Sequence, residues 1–145
     1  MKIFAVAVVL ALSVGNVYAD EWSINSHGVA VVLQKEVPVS DKVEVMIVSS
    51  NGMSYIISGY DESYCNDRAM LVNNQAVNFE SHFDESDNKY IKPHQCYYTP
   101  KTEKGAGYLF DAFAESNEVK VNGTNFSAIG FRKAIEQLMS LNEPI

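Results

Sequence analysis

The chain is poor in basic residues, and those it has are scattered. Among its 145 residues, 11 are Lys or Arg and 18 are Asp or Glu, which gives a formal net charge of -7 at pH 7. No cluster of Lys and Arg occurs in the sequence. Binding to phosphate groups requires such side chains to displace counterions, and anionic membrane surfaces attract the same residues. The composition therefore argues against a nucleic-acid-binding protein and against a protein that adheres to anionic lipid.

Sequence patterns that carry catalytic or metal-binding chemistry are also missing. There is no Gly-x-Ser-x-Gly nucleophile elbow and no glycine-rich phosphate loop. His27, His82 and His94 form none of the spaced pairs that hold zinc. The acidic stretch 82–88 lacks the glycine and the closing glutamate of an EF-hand. We therefore predict no catalytic residue, no cofactor and no metal, and an enzyme would need a site that only the fold assembles.

The N-terminus has the pattern of a secretory signal peptide. Lys2 precedes an almost unbroken apolar run, Ile3–Val14, and small residues stand three and one positions before Asp20. The run is too short to span a bilayer comfortably, so a retained anchor is the weaker alternative. We expect residues 1–19 to be removed and residues 20–145 to form one domain. The mature protein is then periplasmic or secreted, with no stable membrane anchor.

Cysteine is scarce, and both cysteines lie in the predicted mature chain. Cys65 and Cys96 form an even pair, which in an exported protein favours one disulfide. In the chain-entropy model, closing a loop of about 32 residues stabilises a fold by roughly 3.5–4 kcal/mol. Two free thiols or a pair of metal ligands are the alternatives. If the two cysteines are bonded, neither can act as a thiolate nucleophile.

Most of the chain up to residue 98 has the pattern of β-strands. In Lys42–Val48 a valine or isoleucine stands at every second position, which places these side chains on one face of a strand. Ser50-Asn51-Gly52, which contains the Asn-Gly pair favoured in tight hairpins, and Asn73-Asn74 are predicted turns. The acidic segment Phe83–Asn88 is predicted to be a solvated loop. The predicted strands are Trp22–Asn25, Gly28–Leu33, Lys42–Val48, Met53–Ser58, Met70–Val72, Ala76–Phe79 and Gln95–Tyr98.

Helical spacing appears after Pro100. Four apolar residues predict one face of a first helix: Ala106, Leu109, Phe110 and Phe113. A hairpin follows in Glu118–Phe126, with its turn at Asn122-Gly123, and Ser127 is positioned to cap a second helix. The apolar stripe of that helix is Phe131, Ala134, Ile135 and Leu138. The pattern predicts a mainly β domain, either a β-sandwich or a curled antiparallel sheet, with two short helices in the C-terminal third.

Four tyrosines flank the two cysteines in the sequence: Tyr60, Tyr64, Tyr97 and Tyr98. Tyrosine offers a large contact area and is enriched in protein interfaces. We predict a binding surface made of these tyrosines and of three nearby acids, Asp84, Glu85 and Asp87. The alternative is that the tyrosines shield the disulfide and pack the edge of the sheet.

The C-terminal segment 118–138 contains a polar hairpin, a Gly-Phe step and a short helix that ends in leucine. Gly130, Phe131, Ala134 and Leu138 occupy the corresponding places. The segment resembles the end of the invasion-associated locus B family of exported bacterial proteins, whose opening strand carries a tryptophan, as Trp22 does here. No cysteine follows that tryptophan closely, which differs from the family pattern. The resemblance implies a periplasmic or surface β-sandwich without defined catalytic residues, and it transfers no binding residue.

Three functions follow from these patterns. The first is a non-catalytic exported domain that binds a protein or an envelope component. The second is a periplasmic inhibitor or immunity-type protein that blocks an envelope enzyme, a role that suits a small acidic domain with one disulfide. The third is a small hydrolase whose site exists only in the folded chain.

Overall fold

A computed structural model describes residues 21–36, 42–59, 61–85 and 94–141. Within these ranges the chain forms nine strands, two α-helices and a single turn of 3-10 helix at Glu62–Tyr64. The helices are α1 (Glu103–Glu115), which follows the seventh strand, and α2 (Phe131–Leu141), which follows the ninth. The strands are β1 (Ser23–Ile24), β2 (Ala30–Leu33), β3 (Val43–Ser49), β4 (Gly52–Ser58), β5 (Arg68–Val72), β6 (Gln75–Asp84), β7 (Gln95–Pro100), β8 (Glu118–Val121) and β9 (Thr124–Ser127).

The nine strands form one antiparallel sheet in the order β1-β2-β3-β4-β7-β6-β5-β8-β9. Two-residue turns join β3 to β4, β5 to β6 and β8 to β9. Asn73 and Asn122 have φ angles of 54° and 52°, and Gly123 has a φ of 83°. Asparagine and glycine adopt this left-handed region most readily, and tight hairpins require it. The predicted turns at Asn73-Asn74 and Asn122-Gly123 are confirmed. The turn between β3 and β4 is also present, but its two central residues are Ser50 and Asn51, and Gly52, with a φ of 109°, is the first residue of β4.

The sheet curls until strands near its two ends meet. Gln34, directly after β2, forms an isolated antiparallel bridge with Phe126 of β9. The indole N–H of Trp22 donates to the C=O of Ser127 at 2.8 Å, which joins the residues directly before β1 to the same strand. Only one residue pair joins β5 to β8 in the described ladder. The fold is therefore a curled half-barrel, which is one of the two sheet arrangements that the sequence predicts.

Both helices pack on the concave face of this half-barrel. Leu109 and Phe113 of α1 and Phe131 of α2 are each at most 1% exposed. The Phe131 ring lies edge-on to the indole of Trp22, with the ring centroids 4.9 Å apart. The apolar stripe predicted for α2 is confirmed, with three buried residues and one half-buried: Phe131, Ala134, Leu138 and Ile135.

The buried face of α1 is narrower than its sequence predicts. Ala106 is exposed, and Phe110 retains 38% of its accessible surface. The sheet covers only one side of α1, so the second row of apolar residues faces outwards. Phe110 instead packs edge-on against the Phe131 ring, with the centroids 5.1 Å apart.

The start of α2 differs from the sequence prediction. Ser127 is the last residue of β9, and its hydroxyl accepts the N–H of Ile129 at 3.1 Å, whereas α2 begins only at Phe131. Gly130 makes the turn between them with a φ of 81°. A Cβ at Gly130 would lie 3.3 Å from the backbone oxygen of Trp22. A left-handed glycine in close contact with the N-terminal segment therefore precedes the helix, and Ser127 does not cap it.

Strand β6 is longer than predicted. It continues through Phe83 and Asp84, which pair with Cys96 and Gln95 of β7. The acidic composition of this segment suggested a loop, but the ladder with β7 supplies backbone partners that composition does not reveal. The predicted loop residues 86–88 lie outside the described ranges.

Candidate functional site

Strand β6 extends beyond its neighbour β7 and leaves part of its edge open. The β6–β7 ladder begins at the pair Phe79 and Pro100, although β6 starts four residues earlier at Gln75. After Pro100 the chain turns away and enters α1. A groove therefore lies between the first residues of β6 and the first turns of α1, which we call the β6–α1 groove.

The antiparallel ladder decides which backbone groups face this groove. The residues that flank a two-residue turn, here Val72 and Gln75, form a hydrogen-bonded pair, and successive residues of β6 then point alternately to opposite neighbours. The backbone N–H and C=O groups of Ala76 and Asn78 therefore point away from β5. The C=O of Asn78 accepts the N–H of Lys101 at 2.8 Å. Ala76 has no described strand beside it, and its C=O accepts only a side-chain bond, from Gln75 Nε2 at 3.1 Å.

Helix α1 forms the opposite wall of the groove. Thr102 caps this helix, because its hydroxyl accepts the N–H of Gly105 at 3.0 Å. A Cβ at Gly105 would lie 3.1 Å from Val77 Cγ1, so the glycine allows the helix to approach the strand. Tyr108 closes the far end, where its hydroxyl donates to the C=O of Val72 at 3.4 Å. The space measures about 340 Å³ and is lined by Gln75, Ala76, Val77, Asn78, Thr102, Lys104, Gly105 and Tyr108.

The residues that line the groove offer hydrogen-bond donors and acceptors and one positive charge. Its ionisable side chains are Lys104 and Tyr108, and no carboxylate or histidine is among the lining residues. Its other polar groups are the amides of Gln75 and Asn78, the hydroxyl of Thr102 and the strand backbone. Amide and backbone groups can pair with an extended polypeptide, and the ammonium group of Lys104 can pair with a carboxylate. The lining residues offer no nucleophile with an adjacent base.

The sequence patterns did not identify this groove. It depends on where β6 stops pairing with β7, and no periodicity in either strand encodes that point. An interior glycine costs a helix about 1 kcal/mol relative to alanine, so Gly105 and Gly107 are both unusual in an amphipathic helix. A Cβ at Gly107 would meet no atom within 4 Å, so the sequence alone does not single out Gly105 as the point of close approach.

The predicted disulfide between Cys65 and Cys96 is confirmed, with their Cα atoms 5.7 Å apart. It joins the segment before β5 to strand β7. Cys96 is completely buried and Cys65 packs at the edge of the same core. A structural disulfide is typical of proteins that fold in an oxidising compartment.

The prediction of an exposed tyrosine surface is wrong for two of its members, which are buried. Tyr98 is 0% exposed and Tyr97 is 8% exposed, whereas Tyr64 is 61% exposed. Strand β7 has a neighbour on each side, so its alternate side chains enter the two faces of the sheet. Tyr98 stacks on Tyr55 with the centroids 6.0 Å apart, and Tyr97 packs on the opposite face. Tyr60 lies outside the described ranges.

The three acidic residues predicted to belong to that surface do not share one environment. Asp84 is half-buried in β6, Glu85 is exposed, and Asp87 lies outside the described ranges. Burial raises the pKa of the Tyr97 phenol, and the nearby charge of Asp84 raises it further. Tyr64 and Glu85 are thus the exposed members among the described residues of the predicted surface.

Two of the histidines pack against aromatic rings. The centroid of His82 lies 6.3 Å from that of Tyr97, and the centroid of His94 lies 5.4 Å from that of Phe83. In the part of the chain that the structure describes, no three His, Cys, Asp or Glu side chains are grouped so that they could hold a metal ion. The described histidine contacts are therefore those of packing residues.

A partly buried polar cluster, which no sequence pattern predicted, lies near the closure of the half-barrel. The Tyr55 hydroxyl donates to the Glu44 carboxylate, and the Thr124 hydroxyl donates to the same oxygen at 2.7 Å. The Asn122 amide donates to the Tyr55 hydroxyl at 3.5 Å. Burial, followed by the charge of Glu44, raises the pKa of Tyr55. These bonds connect β3 and β4 to the β8–β9 hairpin, and the cluster therefore stabilises the closure.

Asp67 fastens the segment after the disulfide to β6. Its Oδ1 accepts the N–H of Ser81 at 2.8 Å and the hydroxyl of Ser81 at 2.9 Å. Lys101 Nζ lies 3.5 Å from the other carboxylate oxygen. The bonds from Ser81, the backbone one above all, hold the pKa of the Asp67 carboxyl below its usual value.

This lowered pKa predicts a pH-dependent contribution to stability. Because the pKa is lower in the folded chain than the unfolded value of about 3.9, the ionised Asp67 stabilises the fold above that pH. The contribution disappears as the pH falls through the folded pKa. Thermal melts followed by circular dichroism should show a lower Tm for Asp67→Asn at neutral pH, and the difference from the wild type should close in acid. A difference that stays constant over this range would contradict the role of the charge.

No family model, curated protein or solved structure matches the chain. The resemblance of segment 118–138 to the invasion-associated locus B family therefore stays a prediction from the residues. None of the described helices is long and apolar enough to cross a membrane.

Proposed function

We propose that this protein is an exported, non-catalytic binding domain that holds an extended segment of a partner protein in the β6–α1 groove. The observation that carries this proposal is the open backbone of β6 at Ala76, which faces a cleft of about 340 Å³ with a mixed polar and apolar lining. A strand edge with free hydrogen-bonding groups is a template for another strand. Recognition by strand addition uses such an edge together with adjacent side-chain pockets.

The bound segment would continue the line of β7 beyond Pro100, where the protein's own chain turns into α1. It could exchange two backbone hydrogen bonds with Ala76. A carboxylate on this segment, from a side chain or from a C-terminus, would lie near Lys104. The close contact of Gly105 with Val77 leaves a narrow cleft, which favours small side chains at the centre of the bound segment.

The compartment in this proposal is the periplasm or the extracellular space. Two observations support it: the signal-peptide pattern in residues 1–19, which lie outside the described ranges, and the disulfide of the folded domain. The acidic composition favours solubility and argues against nucleic acid as the partner.

Ala76→Pro is expected to abolish most of the binding without breaking the sheet. Proline removes the N–H that faces the groove, and its ring fills the adjacent space, but it leaves the β5–β6 bonds intact because Ala76 faces away from β5. The loss of the hydrogen bond from this N–H, together with the steric block by the ring, predicts about a tenfold weaker affinity. Peptides selected from a displayed random heptapeptide library against the wild-type domain would serve as probes, with affinity measured by fluorescence polarisation.

Ala69→Pro is the matched control. Ala69 pairs with Asn78 in the same hairpin, and the alternation directs its backbone N–H to the opposite edge, away from the groove. We expect this variant to bind the selected peptides as the wild type does, and both variants should retain the wild-type circular dichroism spectrum. Equal affinities for the two variants would place the site elsewhere, and failure to select any peptide would contradict strand recognition itself.

A further inference from the structure

The chain contains two Asn-Gly pairs, Asn51-Gly52 and Asn122-Gly123, and each lies at a hairpin turn. Asparagine is chemically labile, and a glycine after it leaves the peptide nitrogen unshielded by a side chain. This nitrogen can give up its proton to solvent base and attack the amide carbon of the asparagine. Ammonia then leaves and a five-membered imide forms. Water opens the imide at either carbonyl, so the net reaction exchanges the amide NH2 for OH and yields aspartate or isoaspartate.

The first of these turns holds the attacking nitrogen in the β-ladder. Ser50 and Asn51 are the two central residues between β3 and β4, and Gly52 pairs with Ser49 across the hairpin. The residues that flank a two-residue turn exchange both of their backbone hydrogen bonds. The Gly52 N–H is therefore donated to the C=O of Ser49 and is not available for the attack.

The second turn leaves the corresponding nitrogen unbound. Here the two central residues are Asn122 and Gly123, and the flanking pair Val121 and Thr124 exchanges the backbone bonds. Asn122 and Gly123 are both exposed. Among the described residues, none accepts a hydrogen bond from the Gly123 N–H. The same dipeptide therefore presents a free nitrogen in this turn and a held nitrogen in the other.

We propose that Asn122 is a modification site, at which the folded protein loses ammonia from the side chain and gains a carboxylate that loosens the closure of the half-barrel. Attack at Asn51 requires a ladder hydrogen bond to break first, whereas attack at Asn122 does not. The fold therefore selects one of two identical dipeptides. The site is separate from the β6–α1 groove, and the proposal does not depend on that groove.

The new carboxylate would replace a hydrogen-bond donor of the polar cluster around Glu44. The Asn122 amide donates to the Tyr55 hydroxyl at 3.5 Å, and this hydroxyl donates to the Glu44 carboxylate. A tyrosine hydroxyl carries a single proton, and an ionised carboxylate can only accept. Tyr55 could thus serve only one of the two carboxylates at a time. The like charges at positions 122 and 44 would repel each other across it, which weakens the contact between β4 and the β8–β9 hairpin.

The modification would also act at a sparsely paired seam of the sheet. Strand β8 joins β5 at the single described pair Val72 and Val121, and the Asn122 N–H supports this pair by donating to the C=O of Leu71 at 2.9 Å. Isoaspartate lengthens the main chain by one carbon at residue 122 and moves the turn out of its register. The added charge and the longer backbone therefore weaken the same end of the hairpin.

The first experiment compares the two Asn-Gly pairs within one sample. The full-length oxidised protein is incubated in mildly alkaline buffer at physiological temperature, once folded and once in urea, and its peptides are mapped by mass spectrometry. We expect Asn122 to convert several-fold faster than Asn51 in the folded protein, and the two rates to become similar in urea, where neither nitrogen is held. Equal rates in the folded protein, a faster reaction at Asn51, or no conversion at Asn122 would overturn the proposal.

The second experiment measures the effect of the charge on the closure. Asn122→Asp should lower the Tm by several degrees, whereas Asn51→Asp, which adds the same charge to an exposed turn, should leave it at the wild-type value. In a Glu44→Gln background the loss caused by Asn122→Asp should become smaller, because the second carboxylate is gone. An unchanged Tm for Asn122→Asp, or the same loss in both backgrounds, would contradict the proposed loosening by charge.

Discussion

Replacing Phe131 by alanine is expected to destabilise the folded protein by about 3–5 kcal/mol. The side chain is 1% exposed and lies at the point where α1, α2 and the N-terminal segment meet. Its ring centroid is 4.9 Å from that of Trp22, 5.1 Å from that of Phe110 and 5.7 Å from that of Phe113. Truncation therefore leaves a cavity bounded by three rigid rings that cannot easily collapse into it.

Urea unfolding at equilibrium measures this loss, and Lys133→Ala is the matched control. Lys133 lies on the same helix but is exposed, so its truncation should change the free energy of unfolding by less than about 0.5 kcal/mol. Arg132 is a poorer control because its Nε donates to the C=O of Ala114 at 2.7 Å, which joins the two helices. If Phe131→Ala and Lys133→Ala had similar effects, α2 would not be packed on the concave face as described.

The local elements of the fold were predictable because their causes are local. Asn122-Gly123 forms a tight turn because both residues tolerate positive φ angles, and this holds whatever surrounds them. The stripe of α2 is equally local, since its buried residues recur at helical spacing. Such patterns identify strands, turns and helices, and they correctly gave a mainly β domain with two helices in its last third.

The parts of the structure that depend on strand order were not predictable in the same way. Alternation shows that Tyr97 and Tyr98 lie on opposite faces of one strand, but it does not reveal that β7 is inserted between β4 and β6. Both faces of the sheet are packed at this central strand: Tyr98 stacks on Tyr55 on the concave face, and Tyr97 belongs to an apolar cluster on the opposite face. Neither tyrosine therefore remains exposed. The same insertion produces the open end of β6 at Ala76. The burial of Tyr97 and Tyr98 and the existence of the groove therefore both depend on the order of the strands.

The environment of Glu44 could not be predicted from its own strand either. Its position in β3 points to the concave face, where the alternation of the strand predicts an apolar residue. The charge is tolerated because Tyr55 and Thr124 donate hydrogen bonds to it, and these partners come from β4 and β9. An inward-facing charged residue in an apolar strand therefore predicts a polar cluster, although it cannot name the partners.

Removal of the disulfide by Cys65→Ala together with Cys96→Ala is expected to cost about 3.5–4 kcal/mol of stability. The two cysteines are 31 positions apart, and the bond restricts the unfolded chain over that whole loop. The folded state loses little packing, because alanine remains apolar at the completely buried position 96. Most of the loss should thus come from the greater freedom of the unfolded chain.

Cys96→Ser should be more destabilising than this double alanine variant. It breaks the same crosslink and also places a hydroxyl in the concave core, where an unsatisfied polar group costs a further 1–3 kcal/mol or so. Urea unfolding of both variants under identical conditions gives the comparison, with the reduced wild-type protein as a third sample. Equal stabilities of the two variants would mean that the serine finds a hydrogen-bond partner. A double alanine variant within about 1 kcal/mol of the oxidised wild type would mean that the crosslink restricts the unfolded chain much less than the loop-closure model predicts.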